Sequence, residues 1–177
     1  MFVYKTSNSF VYLFKNKIKV FSYLKFLLKS TNQHGVHSPY VYNYLTKGLY
    51  KNRKHFLNKE TKSLKLIIST VSYFDCKTVF TTNSEIQKNI RNSFKTISIN
   101  EHHELFDLII IENLTDYKLY LDKMKNDSLL MILNTQNQSK EIILNQTDDC
   151  TLVLDFYYMV VVSKRKEQKR ENFFLRY

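Results

Sequence analysis

Glycine and proline are nearly missing from the 177-residue chain, which contains two glycines and one proline. Average usage in proteins is about 7% for glycine and about 5% for proline. All three residues lie between positions 35 and 48, so the rest of the chain has no glycine-rich turn. The glycine-rich motifs that cradle nucleotide-like cofactors in α/β proteins are therefore excluded there. Turns that need a positive φ must be formed mostly by asparagine.

Cysteine and long apolar segments are scarce too. Cys76 and Cys150 lie in apolar, strand-like segments without the spacing of metal ligands, which predicts buried, reduced thiols. No apolar run approaches the roughly 18 residues needed to span a bilayer. The N-terminus lacks the compact apolar stretch of a signal peptide. We expect a cytoplasmic protein that is either soluble or peripheral to a membrane.

Acidic residues are missing from the first third of the chain. Residues 1–59 contain eleven lysines and arginines and no aspartate or glutamate, and the net charge of the whole chain is +11. A basic segment of this kind attracts anionic partners, either nucleic acid or acidic lipid. A solvated basic face without a partner explains the pattern equally well.

An amphipathic helix is predicted from about Ser9 to Lys29. Apolar residues recur there at spacings of three and four, and four lysines fall on the other side. The apolar stripe consists of Phe10, Leu13, Phe14, Phe21, Leu24 and Leu28, and the lysines are Lys15, Lys19, Lys25 and Lys29. Lys17 falls within the stripe. Docking of the stripe on the domain is favoured over binding to an acidic membrane.

The segment HGVHSP, which follows this helix, contains the start of a second one. Ser38 is the predicted N-cap and Pro39 the first helical residue. His34 and His37 bracket Gly35 in a turn. Two histidines three positions apart can contribute to a metal site, but no third ligand lies within the segment. Structural, hydrogen-bonded histidines are therefore favoured, and no metal site is predicted.

The remainder alternates between apolar strands and helices. The predicted elements are a helix from Thr61 to Phe74, the strand CKTVFTT, a helix with Ser84 as its N-cap, the strands KTISI and FDLIIIE, a helix from about Asp116 to Lys125, the strand SLLMILN, a short helical SKEIILN, the strands CTLVLD and YYMVVVS, and an edge strand in ENFFLRY. Continuous apolar strands separated by helices predict a mainly parallel sheet covered on both faces. The closely joined CTLVLD and YYMVVVS must be antiparallel. We predict an α/β domain over residues 60–177, preceded by a basic helical extension over residues 1–59 that packs on it.

This order of elements resembles that of the class I S-adenosylmethionine (SAM)-dependent methyltransferases, which have a Rossmann-like fold. The stretch LKFLLKSTNQHGVHSPYVYNYLTKGLY is similar to the N-terminal region of a bacterial methyltransferase-like group that carries an HGVHSP segment. Similarity continues in YFDCKTVFTTN, FDLIIIEN, KNDSLLMILN and RKEQKRENFFLRY. The resemblance runs from about residue 22 to the C-terminus with one large gap. It implies a Rossmann-like sheet that ends in an antiparallel strand pair.

The cofactor loop of that family is not retained. In these enzymes the first strand ends in an acidic residue followed by a glycine-rich loop. The equivalent positions are Thr81, Asn83 and Ser84, with no glycine nearby. Because the backbone must pass closely against SAM, the Asn83 side chain fills space that the ligand needs. We expect SAM binding to be lost or very weak, and no cofactor is predicted.

Other family positions give the same indication. The aspartate that follows the FDLIIIE strand in the family falls on Glu112, and the ribose-binding acid can only be Glu101, one position late. The paired acidic motif of metal-dependent relatives falls on Leu133 and Asn134. Leucine cannot bind a metal, so no metal residue is predicted there either.

A strand-helix unit is predicted to be missing between KTISI and FDLIIIE. Only six residues, NEHHEL, separate the two strands, whereas a parallel crossover needs a dozen or more. Six extended residues span roughly 20 Å, which leaves no room for a helix. We therefore expect residues 95–99 to form a short edge strand or a displaced one, and His102 and His103 to be exposed.

Three functions follow from these observations. The first is a degenerate, non-catalytic methyltransferase-like protein with a binding or structural role. The second is an active SAM-dependent methyltransferase in which Asn83 adopts a positive φ and Glu101 or Glu112 binds the ribose. The third is a basic protein that binds nucleic acid or an anionic membrane surface, with the segment KRKEQKR and four tyrosines available for stacking: Tyr40, Tyr42, Tyr44 and Tyr50.

Overall fold

The computed structural model describes residues 20–51, 61–135, 140, 143 and 150–177. The first half of the predicted N-terminal helix, with Lys17, and most of the segment SKEIILN lie outside these residues. Helix α1 occupies residues 20–29, as the apolar spacing predicts. A 3₁₀ turn at Gln33–Gly35 and helix α2 at Pro39–Asn43 follow, and α2 continues as a π-helix at Tyr44–Tyr50.

Seven strands form a single sheet. Their bounds are β1 Thr78–Thr81, β2 Ser98–Ile99, β3 Phe106–Ile111, β4 Met124–Leu133, β5 Leu152–Asp155, β6 Met159–Ser163 and β7 Glu171–Phe174. The order across the sheet is β2-β1-β3-β4-β6-β5-β7. Strand β6 is antiparallel to both of its neighbours, and the other pairs are parallel. The chain therefore has the predicted Rossmann-like α/β fold, with a mainly parallel sheet and an antiparallel pair near its end.

In the described part of the chain one further helix precedes β1 and two others connect strands, and two predictions about them are wrong in detail. Helix α3 spans Lys62–Tyr73, α4 spans Ser84–Ser93 and α5 spans Tyr117–Leu121. The N-cap of α4 is Asn83, not Ser84, because the Asn83 side chain accepts a hydrogen bond from the backbone N–H of Ile86 in the first turn of the helix. Helix α5 also ends sooner than predicted, because Met124 already pairs with Phe106 as the first residue of β4.

The connection from β2 to β3 is as short as the sequence predicts. Strand β2 has two residues and lies at the edge of the sheet beside β1, and residues 100–105 contain no helix. Asn100 adopts a positive φ of 57° directly after β2. His102 and His103 are both exposed, as expected. The chain thus turns from the edge strand straight back into the sheet centre.

Helices cover both faces of the sheet. On one face α2, its π-helical continuation, α3 and α4 pack on alternate residues of the strands, including Val79, Leu108 and Met131. On the other face α5 and Ile143 pack on the intervening residues. Residues 36–49 of the basic segment therefore belong to the same core as the sheet.

Close packing explains why the two glycines lie where they do. A Cβ atom on Gly35 would lie 2.0 Å from the Thr31 side chain, and one on Gly48 would lie 2.9 Å from the Tyr73 ring. Neither glycine has a positive φ. The positive φ values in the described part of the chain belong to Asp75, Asn100, Asn134 and Tyr157, so asparagine supplies two of the four.

The segment ENFFLRY adds the edge strand β7, as predicted. It pairs in parallel with β5, and Thr31 forms an isolated bridge with Leu175. The backbone N–H of Thr31 donates to the carbonyl of Phe174 at 2.8 Å, and the N–H of Arg176 donates to the carbonyl of Thr31 at 2.9 Å. These contacts fix the end of α1 against the sheet. None of the helices in the described part of the chain combines the length and apolar character that crossing a bilayer requires.

Candidate functional site

A cleft lies where β1, β3 and β4 end. Parallel strands of open α/β sheets usually place their ligand sites at this edge. The cavity has a volume of about 440 Å³ and is roofed by the first turns of α3 and α4. Its lining consists of Thr61, Ser63, Leu64, Ile67, Asn83, Glu85, Ile86, Asn89, Glu112, Leu133 and Asn134. The cleft is thus present although the glycine-rich loop is missing.

Asn83 connects the start of α4 to the end of β3. Its side-chain oxygen accepts a hydrogen bond from the backbone N–H of Ile86 at 2.9 Å, which caps the helix. Its side-chain amide donates to Oε1 of Glu112 at 3.0 Å. The φ of Asn83 is −101°, an extended value. The expectation that Asn83 adopts a positive φ is therefore wrong, because an N-cap residue must be extended to direct its side chain at the helix.

Thr81 lies below the cleft, at the buried end of β1. Its Oγ1 accepts from the backbone N–H of Asn83 at 3.2 Å. The Asn100 side chain spans from β2 to the same residue, accepting from Thr81 N–H at 2.8 Å and donating to Thr81 C=O at 2.9 Å. Thr81 is therefore held on both sides and does not line the cavity. Asn100 was not among the predicted site residues, although an asparagine directly after a strand is a recognisable signal.

The remaining predicted residues are placed differently from one another. Glu112 lines the cavity, whereas Ser84 and Glu101 do not. Ser84 is exposed as the first residue of α4, and Glu101 is exposed in the turn after β2. The structure thus brings Asn83 and Glu112 into one site and leaves Ser84 and Glu101 outside its lining.

Besides the hydroxyl residues Thr61 and Ser63, three further polar residues line the cleft. Glu85 and Asn89 are presented by the first two turns of α4, and Asn134 follows β4 with a φ of 56°. Sequence reasoning considered Asn134 only as a lost metal ligand. Together with Asn83 and Glu112, these residues offer two carboxylates and three amides, which accept hydrogen bonds from hydroxyl or amino groups. In the parts of the chain that the structure describes, no group of three His, Cys, Asp or Glu side chains is arranged to hold a metal.

The rings of His34 and His37 each have a partner side chain within the chain. His37 Nε2 lies 2.8 Å from Oε1 of Glu171, and its ring lies 5.3 Å from that of Phe173. Nε2 of the His34 ring lies 3.2 Å from Nε2 of the Gln33 side chain. His37 thus joins the HGVHSP segment to β7, in keeping with a hydrogen-bonded structural role.

Three of the four tyrosines considered for stacking on nucleic-acid bases contact other residues of the protein instead. Tyr44 is buried with its hydroxyl 2.6 Å from Oγ1 of Thr70. The Tyr50 hydroxyl donates to the carbonyl of Arg176 at 3.0 Å. The guanidinium of Arg165, from KRKEQKR, covers the Tyr40 ring at 4.9 Å. These three tyrosines pack inside the domain or against its own side chains, which leaves the third function without the stacking surface that it invokes.

A second cavity, of about 380 Å³, lies at the opposite edge of the sheet and contains Asp107 and Lys125. Their side chains are 2.5 Å apart. Asp107 also accepts from the backbone N–H groups of Lys77 and Thr78, each at 2.9 Å. Burial tends to raise the pKa of Asp107, but the hydrogen bonds from Lys125 and the backbone outweigh it and hold that pKa below its usual value. This cluster ties the starts of β1, β3 and β4 together.

Both cysteines are free and buried, as predicted. Burial, with a smaller contribution from Asp107, raises the pKa of the Cys76 thiol to about 12. The thiol therefore stays protonated near neutral pH and is a poor nucleophile.

No protein-family model matches the chain, and the search of curated proteins likewise gave no match.

Proposed function

We propose that the chain is a degenerate methyltransferase-like protein that does not transfer methyl groups. Its Rossmann-like sheet supplies a scaffold with a polar cleft, and its role is binding or structural. The observation that carries this proposal is the hydrogen bond of 3.0 Å between Asn83 and Glu112. It holds the Asn83 side chain across the ends of β1 and β3, where the resemblance puts the glycine-rich loop.

The side chain of Asn83 is doubly committed. It caps α4 and binds Glu112, so moving it aside removes two hydrogen bonds at once. Loss of an N-cap interaction alone costs about 1 kcal/mol. A nucleoside that enters over β1 must supply this energy and desolvate Glu112. In addition, Glu101, the ribose-binding candidate, is exposed in the turn after β2 and lies outside the cavity lining.

An active SAM-dependent methyltransferase is the second candidate. The cavity of about 440 Å³ favours it, since small-molecule sites typically measure about 300–1,000 Å³. Glu112 also lies within the lining, at the position where the family carries its aspartate. This candidate requires the cleft to accept an adenosyl group despite the Asn83 side chain.

Titration calorimetry with SAM and with S-adenosylhomocysteine separates the two candidates. We expect no binding tighter than about 100 μM, equivalent to about 5.5 kcal/mol, in the native protein. Asn83→Gly should then bind S-adenosylhomocysteine more tightly than the native protein does, because it opens the space beside Glu112. Ser84→Gly is the matched control, since Ser84 lies outside the cavity and its change should leave the affinity unaltered.

Binding of the native protein tighter than about 100 μM, abolished in Glu112→Gln or Glu101→Ala, would favour the active enzyme. A crystal soaked with S-adenosylhomocysteine that shows the nucleoside over an unmoved Asn83 would refute the steric argument itself. If Asn83→Gly remains folded but gains no affinity, the side chain is not the obstacle.

A further inference from the structure

Helix α1 has one face that packs against the domain. Phe26 is buried, and its ring lies 5.3 Å from the ring of Tyr157, in the turn between β5 and β6. The Tyr23 ring meets the same tyrosine edge-on at 5.0 Å. Together with the bridge between Thr31 and Leu175, these contacts fix the rotation of the helix about its own axis. The opposite face must therefore point away from the domain.

That opposite face is apolar and exposed. Its four members are between 51% and 89% exposed as whole residues: Val20, Phe21, Leu24 and Leu28. At about 100° per residue they lie within a sector of about 100°, roughly opposite Phe26. We name these four residues the outer face. Docking of this stripe on the domain was the favoured prediction for Phe21, Leu24 and Leu28, and it is wrong because Phe26 and Tyr23 occupy the contact instead.

Lysines border the outer face. Lys25 and Lys29 are exposed and follow directly beside it on the helix, and Lys25 Nζ lies 5.2 Å from the centre of the Phe21 ring. The surrounding sequence contains no opposing charge, because residues 1–59 have eleven basic side chains and no acidic one. An apolar helical face bordered by lysines is typical of helices that lie in the interface of an anionic bilayer.

We propose that the outer face of α1 binds an anionic lipid surface and holds the domain peripherally on it. The four apolar side chains enter the boundary between headgroups and acyl chains, and Lys25 and Lys29 contact the anionic headgroups. The proposal goes beyond the non-catalytic role proposed above and does not depend on it.

Charge and side-chain chemistry favour a lipid surface over a second copy of the chain and over nucleic acid. A two-fold contact through α1 would bring two acid-free segments together, which like-charge repulsion opposes. Single-stranded nucleic acid is held in part by aromatic rings that stack on its bases, but Tyr40, Tyr44 and Tyr50 are engaged within the protein. The outer face is mainly aliphatic and offers bases little to stack upon.

Flotation with vesicles tests the proposal on the full chain. The probes are vesicles of phosphatidylcholine alone and vesicles with about 30% phosphatidylserine, which carry a negative surface potential. We expect the native protein to float only with the anionic vesicles, and to float less as salt is raised, because exposed charges are screened. Leu24→Glu/Leu28→Glu and Lys25→Glu/Lys29→Glu should each lower the partition coefficient at least about tenfold.

Matched controls separate this face from general surface effects. Leu105→Glu/Leu119→Glu replaces two exposed leucines elsewhere, and Lys62→Glu/Lys88→Glu makes the same charge change on α3 and α4. Both controls should float as the native protein does. All variants alter exposed side chains, and unchanged thermal melts by circular dichroism show that each one folds.

Four results would overturn the proposal. The first is native protein that does not float with anionic vesicles, and the second is equal loss in the controls and in the α1 variants. The third is a native dimer in solution that Leu24→Glu/Leu28→Glu converts to a monomer without affecting flotation, since the outer face is then a contact between copies. Vesicle binding that is unchanged in both α1 variants while RNA competes for it would likewise assign the basic segment to nucleic acid.

Discussion

The buried ion pair between Lys140 and Asp155 provides the most severe test of the packing beneath α1. Lys140 Nζ lies 2.6 Å from Oδ1 of Asp155, and the two side chains are only 13% and 4% exposed. Asp155 also accepts from the backbone N–H of Tyr157 at 2.7 Å, and Lys140 donates to the carbonyl of that residue at 2.6 Å. The pair therefore holds the turn on which Phe26 and Tyr23 rest.

Replacing Asp155 by Ala should destabilise the protein strongly. The change leaves the Lys140 ammonium buried and without its counter-charge, which costs about 3–5 kcal/mol. It also leaves the N–H of Tyr157 without this acceptor. For a chain of this size, about 2–4 °C are lost per kcal/mol, so the melting temperature should fall by roughly 6–20 °C. Urea unfolding followed by circular dichroism measures the free energy directly.

The double variant Asp155→Leu/Lys140→Met is the control for this reasoning. It removes both charges and fills similar volume, and such replacements are often neutral or stabilising. We expect most of the stability lost in Asp155→Ala to return. A cost below about 1 kcal/mol in Asp155→Ala, or a double variant as unstable as the single one, would show that the pair is not the desolvated contact described above.

Three further predictions concern substitutions at Gly48, Asp107 and Asn100. Gly48→Ala should cost about 1–3 kcal/mol of unfolding free energy, because the new Cβ meets the Tyr73 ring at 2.9 Å; chemical denaturation measures it, and an unaltered midpoint contradicts the packing argument. The pKa of Asp107 is lowered in the folded state, so its stabilisation is present above its usual pKa of about 3.9 and is lost as pH falls through the lower folded value. The unfolding free energy of Asp107→Asn, which keeps a partner for Lys125, should consequently fall less steeply with acid than that of the native protein. Asn100→Ala should lose about 1–3 kcal/mol, and Asn100→Gly less, since glycine tolerates the φ of 57°; equal losses would exclude a contribution from backbone strain.

The sheet was predictable because its strands are continuous apolar runs. From chain length alone, the six-residue connection NEHHEL also predicted a short edge strand or a displaced one, and β2 is the edge strand. Helix limits were harder, because Ser84 and Asn83 are both good N-caps and the choice depends on which side chain reaches a free N–H. The predicted end of α5 was wrong because Met124 pairs with Phe106 of β3 and so belongs to the sheet.

The site was only partly predictable. Glu112 follows directly from the end of β3, whereas Asn134 and Glu85 reach the cleft because of how β4 and α4 are placed in three dimensions. The face of α1 that contacts the domain could not be predicted from the sequence either, since Phe21 and Phe26 are equally apolar. Only the position of Tyr157, with a φ of 73° in a distant turn, determines which of them is buried.

The pairing of Thr31 with Leu175 has a consequence for how the protein folds. This bridge joins segments separated by nearly all of the described chain, and closing so long a loop carries a large entropic cost before any contact offsets it. The end of α1 can therefore be fixed against the sheet only after β7 has paired with β5. We expect the bridge between Thr31 and Leu175 to form late in folding and to open first under mild denaturant. Its opening would release α1 while the central strands remain paired.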